Sequence, residues 1–258
     1  MGDRNDLWTA YSMTNLVDSI CANDFSLQQE TIDKGTKPSY AQEHLNNLKN
    51  NNFKDVRYAF IAYGINDFHS GRKIGTLNPN IGDDLANFNR NTYIGATQYV
   101  VEKLQKYSPN TEIILCSLKR TFDATKVINL NFKEELPAAG ETNKIYFIKN
   151  EFKSYIYDSI TSNYVLYDGN NMTLFKDKHN KSQTYDSNCF IRTYNQGLKD
   201  VAELYGLRYI DLYNIGINQM NADHYYKHPD GTHPNQIGRN KIALEIANQM
   251  KSWYAINS

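Results

Sequence analysis

Two short segments, far apart in the chain, carry side chains suited to acyl transfer. Asn66 closes an apolar run in Gly64-Ile65-Asn66-Asp67, and His233 stands in Asp230-Gly231-Thr232-His233-Pro234. An imidazole has an ordinary pKa of about 6.5 and can take up a proton near neutral pH. Asp230 can orient that imidazole, and the Asn66 amide can donate to a developing oxyanion. The sequence therefore offers a base, an orienting carboxylate and an oxyanion donor for ester hydrolysis.

Two other interpretations of these segments remain open. Each segment is also an ordinary turn, the first formed by a glycine with positive φ, the second by Asp230-Gly231 with Thr232 as a helix cap. The second region also contains side chains typical of zinc ligands, namely Asp223, His224, His228, Asp230 and His233. Pro229 interrupts any regular helix through that region. We therefore predict that these residues do not form a metal site.

Strand and helix patterns alternate around the two segments. Strands are predicted near residues 56–63, 111–116 and 207–212, and helices near 11–22, 41–48, 91–107, 190–205 and 235–253. The apolar stripe of the last helix is predicted to contain Ile237, Leu244, Ala247 and Met250. This alternation predicts a three-layer α/β domain with a parallel sheet. Ligands bind such sheets beyond the carboxyl ends of their strands, where Asn66 is expected.

Residues 121–188 break this alternation. Short β-prone segments near 144–148, 155–157 and 164–170 are separated by polar turns, which favours a small antiparallel unit. Their tyrosines are expected to form a small core rather than a sugar-binding strip. We therefore predict one α/β domain built from residues 1–120 and 189–258, with a small β-rich insertion at 121–188.

The composition limits the kinds of partner. Lysine plus arginine and aspartate plus glutamate number 28 each, so no long-range field attracts nucleic acid or an anionic membrane. No run approaches the roughly 18 apolar residues of a membrane span, and the opening residues lack the apolar stretch of a secretory signal. A small-molecule or polysaccharide ester and a protein that is cytoplasmic as synthesised are expected. Cys21, Cys116 and Cys189 lie too far apart in sequence to suggest a disulfide framework.

The motifs Gly64-x-Asn66-Asp67 and Asp230-x-x-His233-Pro234, in that order, resemble the third and fifth blocks of the SGNH, or GDSL, hydrolase family. The resemblance covers residues 56–253 apart from the insertion. It implies a flavodoxin-like parallel sheet, cleavage of lipid or carbohydrate esters, and no cofactor. It also implies that His233 is the base, Asp230 the orienting acid and Asn66 an oxyanion donor. The implied reaction is acyl hydrolysis through a serine.

The chain departs from this family pattern near its amino end. The first block, Gly-Asp-Ser after a buried strand, and the glycine of the second block are not recognisable. Ser12 and Ser19 imitate the first block weakly, and both lie in a helical pattern with no strand predicted before them. The nucleophile is therefore unknown, and about two βα units are expected upstream. Something should cover the Val56–Tyr63 strand: a partner polypeptide, a removed segment or a rearranged amino terminus.

Taken together, the residues and the resemblance predict an SGNH-type serine esterase, or acylhydrolase, that acts on acyl esters of a carbohydrate or cell-envelope polymer. The alternative is a catalytically degenerate glycan-binding module or a phage-tail structural module. Residues 136–146 resemble the start of small β units of phage tail and baseplate proteins, which implies a virion-associated protein. The acyl group and the oligomeric state do not follow from the sequence.

Overall fold

The computed structural model describes residues 9–35, 40–70, 72–121, 127–141, 144–166, 191–217, 221–227 and 232–254. Its helices are α1 (Met13–Ala22), α2 (Ser26–Asp33), α3 (Ala41–Lys49), α4 (Ile65–Ser70), α5 (Tyr93–Tyr107), α6 (Ile191–Leu204), α7 (Ala222–Tyr225) and α8 (Gln236–Tyr254). Its strands are β1 (Tyr58–Ile61), β2 (Glu112–Cys116), β3 (Val127–Leu130), β4 (Ile145–Ile148), β5 (Lys153–Asp158), β6 (Asn163–Leu166) and β7 (Arg208–Ile210). None of the described helices is long and apolar enough to cross a membrane.

The chain divides into two compact units. The first contains Met1–Leu118 and Thr184–Asp211, and the second contains Lys119–Gln183 and Leu212–Ser258. The last helix thus falls in the same unit as the residues of the predicted insertion. The division into an α/β domain and an insertion at 121–188 stays a prediction.

A parallel sheet organises the first unit. The strand order is β1-β2-β7, and both pairings are parallel. β2 lies in the centre, where a strand is covered on both faces, and its residues from Ile113 to Cys116 are buried accordingly. Helix α5 connects β1 to β2, and α6 precedes β7. The prediction of an α/β fold with a parallel sheet is confirmed.

Helix α5 is the most buried helix of this unit. Thr92 caps it by accepting from the Gly95 backbone N–H at 3.3 Å, and the residues of its first three turns are buried. Helix α6 comes close to it at Gly197, where a Cβ atom would lie 2.7 Å from Ile94 Cδ1. The glycine therefore permits an approach that a larger residue would prevent.

The second unit contains a four-stranded sheet in the order β3-β4-β5-β6. Strands β4 to β6 are antiparallel, as the sequence predicts, and β3 adds a parallel neighbour to β4. Tyr146, Ile148 and Tyr155 are buried together on one face. The Tyr146 hydroxyl also accepts from the Glu141 backbone N–H at 2.8 Å. The buried tyrosines of this sheet form a core rather than a surface strip.

Helix α8 does not bury the stripe that its periodicity predicts. Ile237 and Leu244 are 48% and 59% exposed, Ala247 is also exposed, and only Met250 of the predicted stripe is half-buried. The covered face instead presents Ile242, which packs against the cluster of Ile215, Ile217 and Tyr226. The predicted stripe is wrong because this helix carries apolar residues on more than one face, so spacing alone does not choose between them.

Candidate active site

The first motif forms a tight turn at the carboxyl end of β1. Gly64 has a φ of +123°, and a Cβ atom there would lie 2.5 Å from the Tyr93 ring. Helix α4 then begins at Ile65, so Asn66 lies in the first turn of a short helix. Asn66 is exposed to solvent, whereas Gly64 and Asp67 on either side of it are buried. The Asn66 side chain is thus exposed on a turn whose flanking residues are buried.

A buried ion pair of Asp67 stabilises this turn. Its side chain is fully buried and pairs with Arg72, with 3.0 Å between Asp67 Oδ1 and Arg72 Nε. The Arg72 backbone N–H donates to the Asp67 carbonyl at 2.9 Å, and the Tyr194 hydroxyl donates to the Arg72 carbonyl. A buried carboxylate needs such partners because its desolvation is costly. Asp67 therefore organises the segment that follows Asn66.

Aromatic side chains lie beside this turn. The Tyr93 hydroxyl donates to the Tyr63 carbonyl at 3.3 Å, immediately before Gly64. Burial, together with the negative charge of Asp67, raises the pKa of Tyr93 well above its ordinary value. The hydroxyl therefore stays protonated and remains a donor. The Tyr194 ring lies 4.9 Å from the Tyr93 ring and 5.8 Å from that of Phe68.

Two polar residues at other strand ends were not singled out from the sequence. Ser117 follows β2 and is 3% exposed, and Asp211 follows β7. The Ser117 hydroxyl donates weakly to Asp211 Oδ1 at 3.5 Å. Leu118 follows Ser117 and is bonded to Asn195 of α6. The side-chain oxygen of Asn195 accepts from the Leu118 N–H at 2.7 Å, and its amide donates to the Leu118 carbonyl at 3.0 Å. Their position directly after apolar strands was the signal that could have found them.

The second motif belongs to the second unit. Residues 232–235 are described, whereas Asp230 lies outside the described residues, so its predicted role stays a prediction. His233 is exposed, and its backbone carbonyl accepts from the Lys227 N–H at 2.9 Å. Pro234 forms an antiparallel bridge with Tyr226. The His233 side chain therefore faces solvent from a backbone that is bonded to the segment after α7.

Asn235 is the residue that caps α8. Its side-chain oxygen accepts from the Gly238 N–H at 3.0 Å, and its amide donates to the His224 carbonyl at 2.9 Å. A Cβ atom at Gly238 would overlap the Tyr225 carbonyl oxygen, so α7 can approach α8 only at a glycine. The alternative in which Thr232 caps the helix is wrong, because the helix begins at Gln236.

The two serines considered as nucleophiles have structural roles. Ser12 is 1% exposed and caps α1, where its hydroxyl accepts from the Asn15 N–H at 3.3 Å. Ser19 is 7% exposed and donates to Gln28 Oε1 at 3.0 Å. A nucleophile must reach both its substrate and its base. Both hydroxyls are buried, which does not favour either as the nucleophile.

Cysteine and metal chemistry find no better support among the described residues. Burial raises the pKa of the free thiols of Cys21 and Cys116 to about 11, so both are protonated at neutral pH. Cys189 lies outside the described residues. In the part of the chain that the structure describes, no group of three or more histidine, cysteine or acidic side chains could hold a metal ion. His228 and Asp230 of the proposed zinc alternative are not in that part.

Comparison with known proteins supplies a family relationship. Residues 6–240 match the family model of the GDSL-like lipase/acylhydrolase family. A protein from Lactobacillus plantarum has a similar crystal structure, with 14% identity, a TM-score of 0.47, and coverage of 77% of this chain and 68% of that chain. A possible lipase from Chitinophaga pinensis is 15% identical, with a TM-score of 0.41 and coverage of 77% and 73%. No curated protein sequence is significantly similar.

Proposed function

This chain belongs to the GDSL-like lipase/acylhydrolase family, and we propose that it is a serine esterase acting on acyl esters of a carbohydrate or cell-envelope polymer. Membership of the family supports ester hydrolysis in general. An uncharged polymer is compatible with the equal numbers of acidic and basic residues, 28 of each. The acyl group is not specified by any of these observations.

The observation that carries the proposal is the geometry of the turn after β1. Asn66 is exposed on a backbone that Gly64 and the Asp67–Arg72 ion pair hold in place. A donor carried on a fixed backbone needs less reorganisation to stabilise a developing oxyanion. We therefore assign the oxyanion donor to Asn66. The base is assigned to His233 and the orienting acid to Asp230 from the Asp230-x-x-His233 motif.

In the proposed reaction His233 takes the proton of a serine hydroxyl while the serine oxygen bonds to the acyl carbon. The carbonyl electron pair moves onto its oxygen, to which Asn66 donates. When the carbonyl re-forms, the bond to the alcohol breaks and His233 passes its proton to the alcohol oxygen. A water molecule then repeats both steps on the acyl-serine and releases the acid.

We propose that the serine arrives on a strand that pairs with the open edge of β1. β1 pairs with β2 along its length, and no other described strand pairs with it. Phe60 is 43% exposed although Ile114, its register partner on β2, is fully buried. An apolar edge strand of this kind readily accepts another strand. A separate polypeptide, or a segment joined to this chain, could supply it.

Labelling with a fluorophosphonate tests the proposal and locates the serine. The chain alone and the chain co-expressed with the polypeptide encoded immediately upstream are each labelled, and the adduct is located by peptide mass spectrometry. We expect one adduct per active complex, together with hydrolysis of p-nitrophenyl acetate. The form that reacts identifies the source of the nucleophile.

Matched histidine variants provide the control. His233→Ala should abolish labelling and lower hydrolysis at least about 10³-fold, and Asn66→Ala should lower kcat about 10²- to 10³-fold. His224→Ala removes another exposed histidine of the same unit and should leave both unchanged. A protein that neither labels nor hydrolyses in any form would overturn the esterase proposal. A glycan-binding or phage-tail structural module would then be the better account.

A further inference from the structure

The segment that carries His233 receives a hydrogen bond from a distant lysine. Lys119 Nζ donates to the backbone carbonyl of Thr232, 113 residues further along the chain. The same ammonium lies 5.1 Å from the centre of the Tyr226 ring. A cation over an aromatic face is stabilised by the electrons of the ring, and a charged donor forms a stronger hydrogen bond than a neutral one. Lys119 is therefore held at two points.

Tyr226 links Lys119 to the rest of the second motif. Its side chain is 3% exposed, and its hydroxyl donates to the Arg120 carbonyl at 2.9 Å. Its backbone forms the bridge with Pro234. Lys119 and Arg120 thus contact the side chain of Tyr226, and the segment around His233 pairs with its backbone.

The imidazole of His233 is exposed, and its backbone fixes the point from which the side chain extends. Between Thr232 and Asn235 the backbone is bonded at three residues: Thr232 to Lys119, His233 to the Lys227 N–H, and Asn235 to the Tyr225 carbonyl. The last two bonds form the bridge that pairs Pro234 with Tyr226. These two bonds come from one segment, residues 225–227. Lys119 adds a contact from a different part of the chain, immediately before the histidine.

We propose that Lys119 is a positioning residue for His233, an inference that rests on the proposed role of that histidine as the base. The ammonium contacts both the Thr232 carbonyl and the Tyr226 ring, and this link, the Lys119 tie, limits rotation of the peptide that leads into His233. A base displaced by about 1 Å from its working position costs about 10²-fold in rate. Loss of the tie should therefore reduce turnover more than substrate binding.

The neighbouring cation offers a matched control. Arg120 directs its guanidinium to Tyr213 instead, with Nε donating to the Tyr213 carbonyl at 3.1 Å and the group 4.4 Å from the centre of that ring. Substitution of its side chain leaves its backbone carbonyl available to Tyr226. Lys119 and Arg120 are thus adjacent cations with similar contacts, and only the former is bonded to the residue before His233.

The hydrogen-exchange rate of the Lys227 amide reports on the Lys119 tie without any assay of activity, because that amide donates to the His233 carbonyl. Lys119→Met keeps the apolar stem and removes the donor, and it should accelerate exchange at Lys227 about tenfold while the urea midpoint stays unchanged. Lys119→Arg should restore slow exchange. Arg120→Met should leave it unaltered. If Lys119→Met does not fold, Lys119→Gln, which keeps an uncharged donor, should show an intermediate rate.

The rate of ester hydrolysis provides a second measurement. Where the wild-type protein hydrolyses an ester, Lys119→Met should lower kcat about tenfold with little change in KM, and Lys119→Arg should recover most of the loss. Unchanged exchange at Lys227 in every Lys119 variant overturns the proposed tie, whatever the activity. Faster exchange in a protein with no hydrolysis in any form keeps the tie but overturns the proposed function, and with it the positioning of a base.

Discussion

The turns that carry Asn66 and His233 each present one exposed polar side chain, but they are held in different ways. The first depends on a few atoms in the core, namely the close contact of Gly64 with Tyr93 and the buried pair of Asp67 with Arg72. The second depends on backbone hydrogen bonds and a helix cap near the surface. A turn held by buried groups should fail abruptly when one is changed, whereas a turn held by several partly exposed contacts should weaken gradually.

The largest effect is expected at Gly64. Gly64→Ala places a Cβ atom 2.5 Å from the buried Tyr93 ring and forces alanine into a φ of +123°. The clash and the backbone strain together should lower the free energy of unfolding by about 3 kcal/mol or more. Urea unfolding measures the loss. Gly82→Ala is the control, because Gly82 has a φ of +79° with open space around it, and should cost only about 1 kcal/mol. Equal losses would contradict the tight contact at the first turn.

A smaller but still substantial loss is expected at Asp67. Asp67→Asn removes the charge that pairs with Arg72, whose side chain is only 12% exposed, and leaves that guanidinium without its carboxylate. The cost should be about 3 kcal/mol or somewhat less in urea unfolding. Glu30→Gln removes one charge of an exposed pair with Lys34, whose side chains are 59% and 64% exposed, and should cost less than about 0.5 kcal/mol. Comparable values for the two variants would show that burial does not distinguish these pairs.

The smallest effect is expected at the second turn. Asn235→Ala removes the cap of α8 and should lower the free energy of unfolding by about 1 kcal/mol. Gln236→Ala changes an exposed neighbour whose amide donates to Asn240, and should stay within about 0.5 kcal/mol of wild type. A loss at Asn235 as large as that at Gly64 would remove the contrast between the two turns.

Most of the regular elements follow from periodicity in the sequence. The helix predicted near 91–107 is observed as Tyr93–Tyr107, and the strand predicted at 111–116 as Glu112–Cys116. The helix that contains Asn66 was not predicted, because its six residues are too few to show an apolar repeat. The residue types and order of the two motifs were likewise readable from the sequence. Their catalytic roles stay predictions.

The sequence by itself determined the alternation of strands and helices, because local periodicity depends on residues that are close in the chain. It also determined which polar side chains the two motifs contain. Only the tertiary structure decided which face of α8 is covered, that Asp67 pairs with Arg72, and that Lys119 reaches Thr232. The last contact joins residues 113 positions apart, and no local pattern records it. Such partners are chosen by packing, since a buried charge or an exposed backbone segment takes whichever donor or acceptor the folded chain brings within reach.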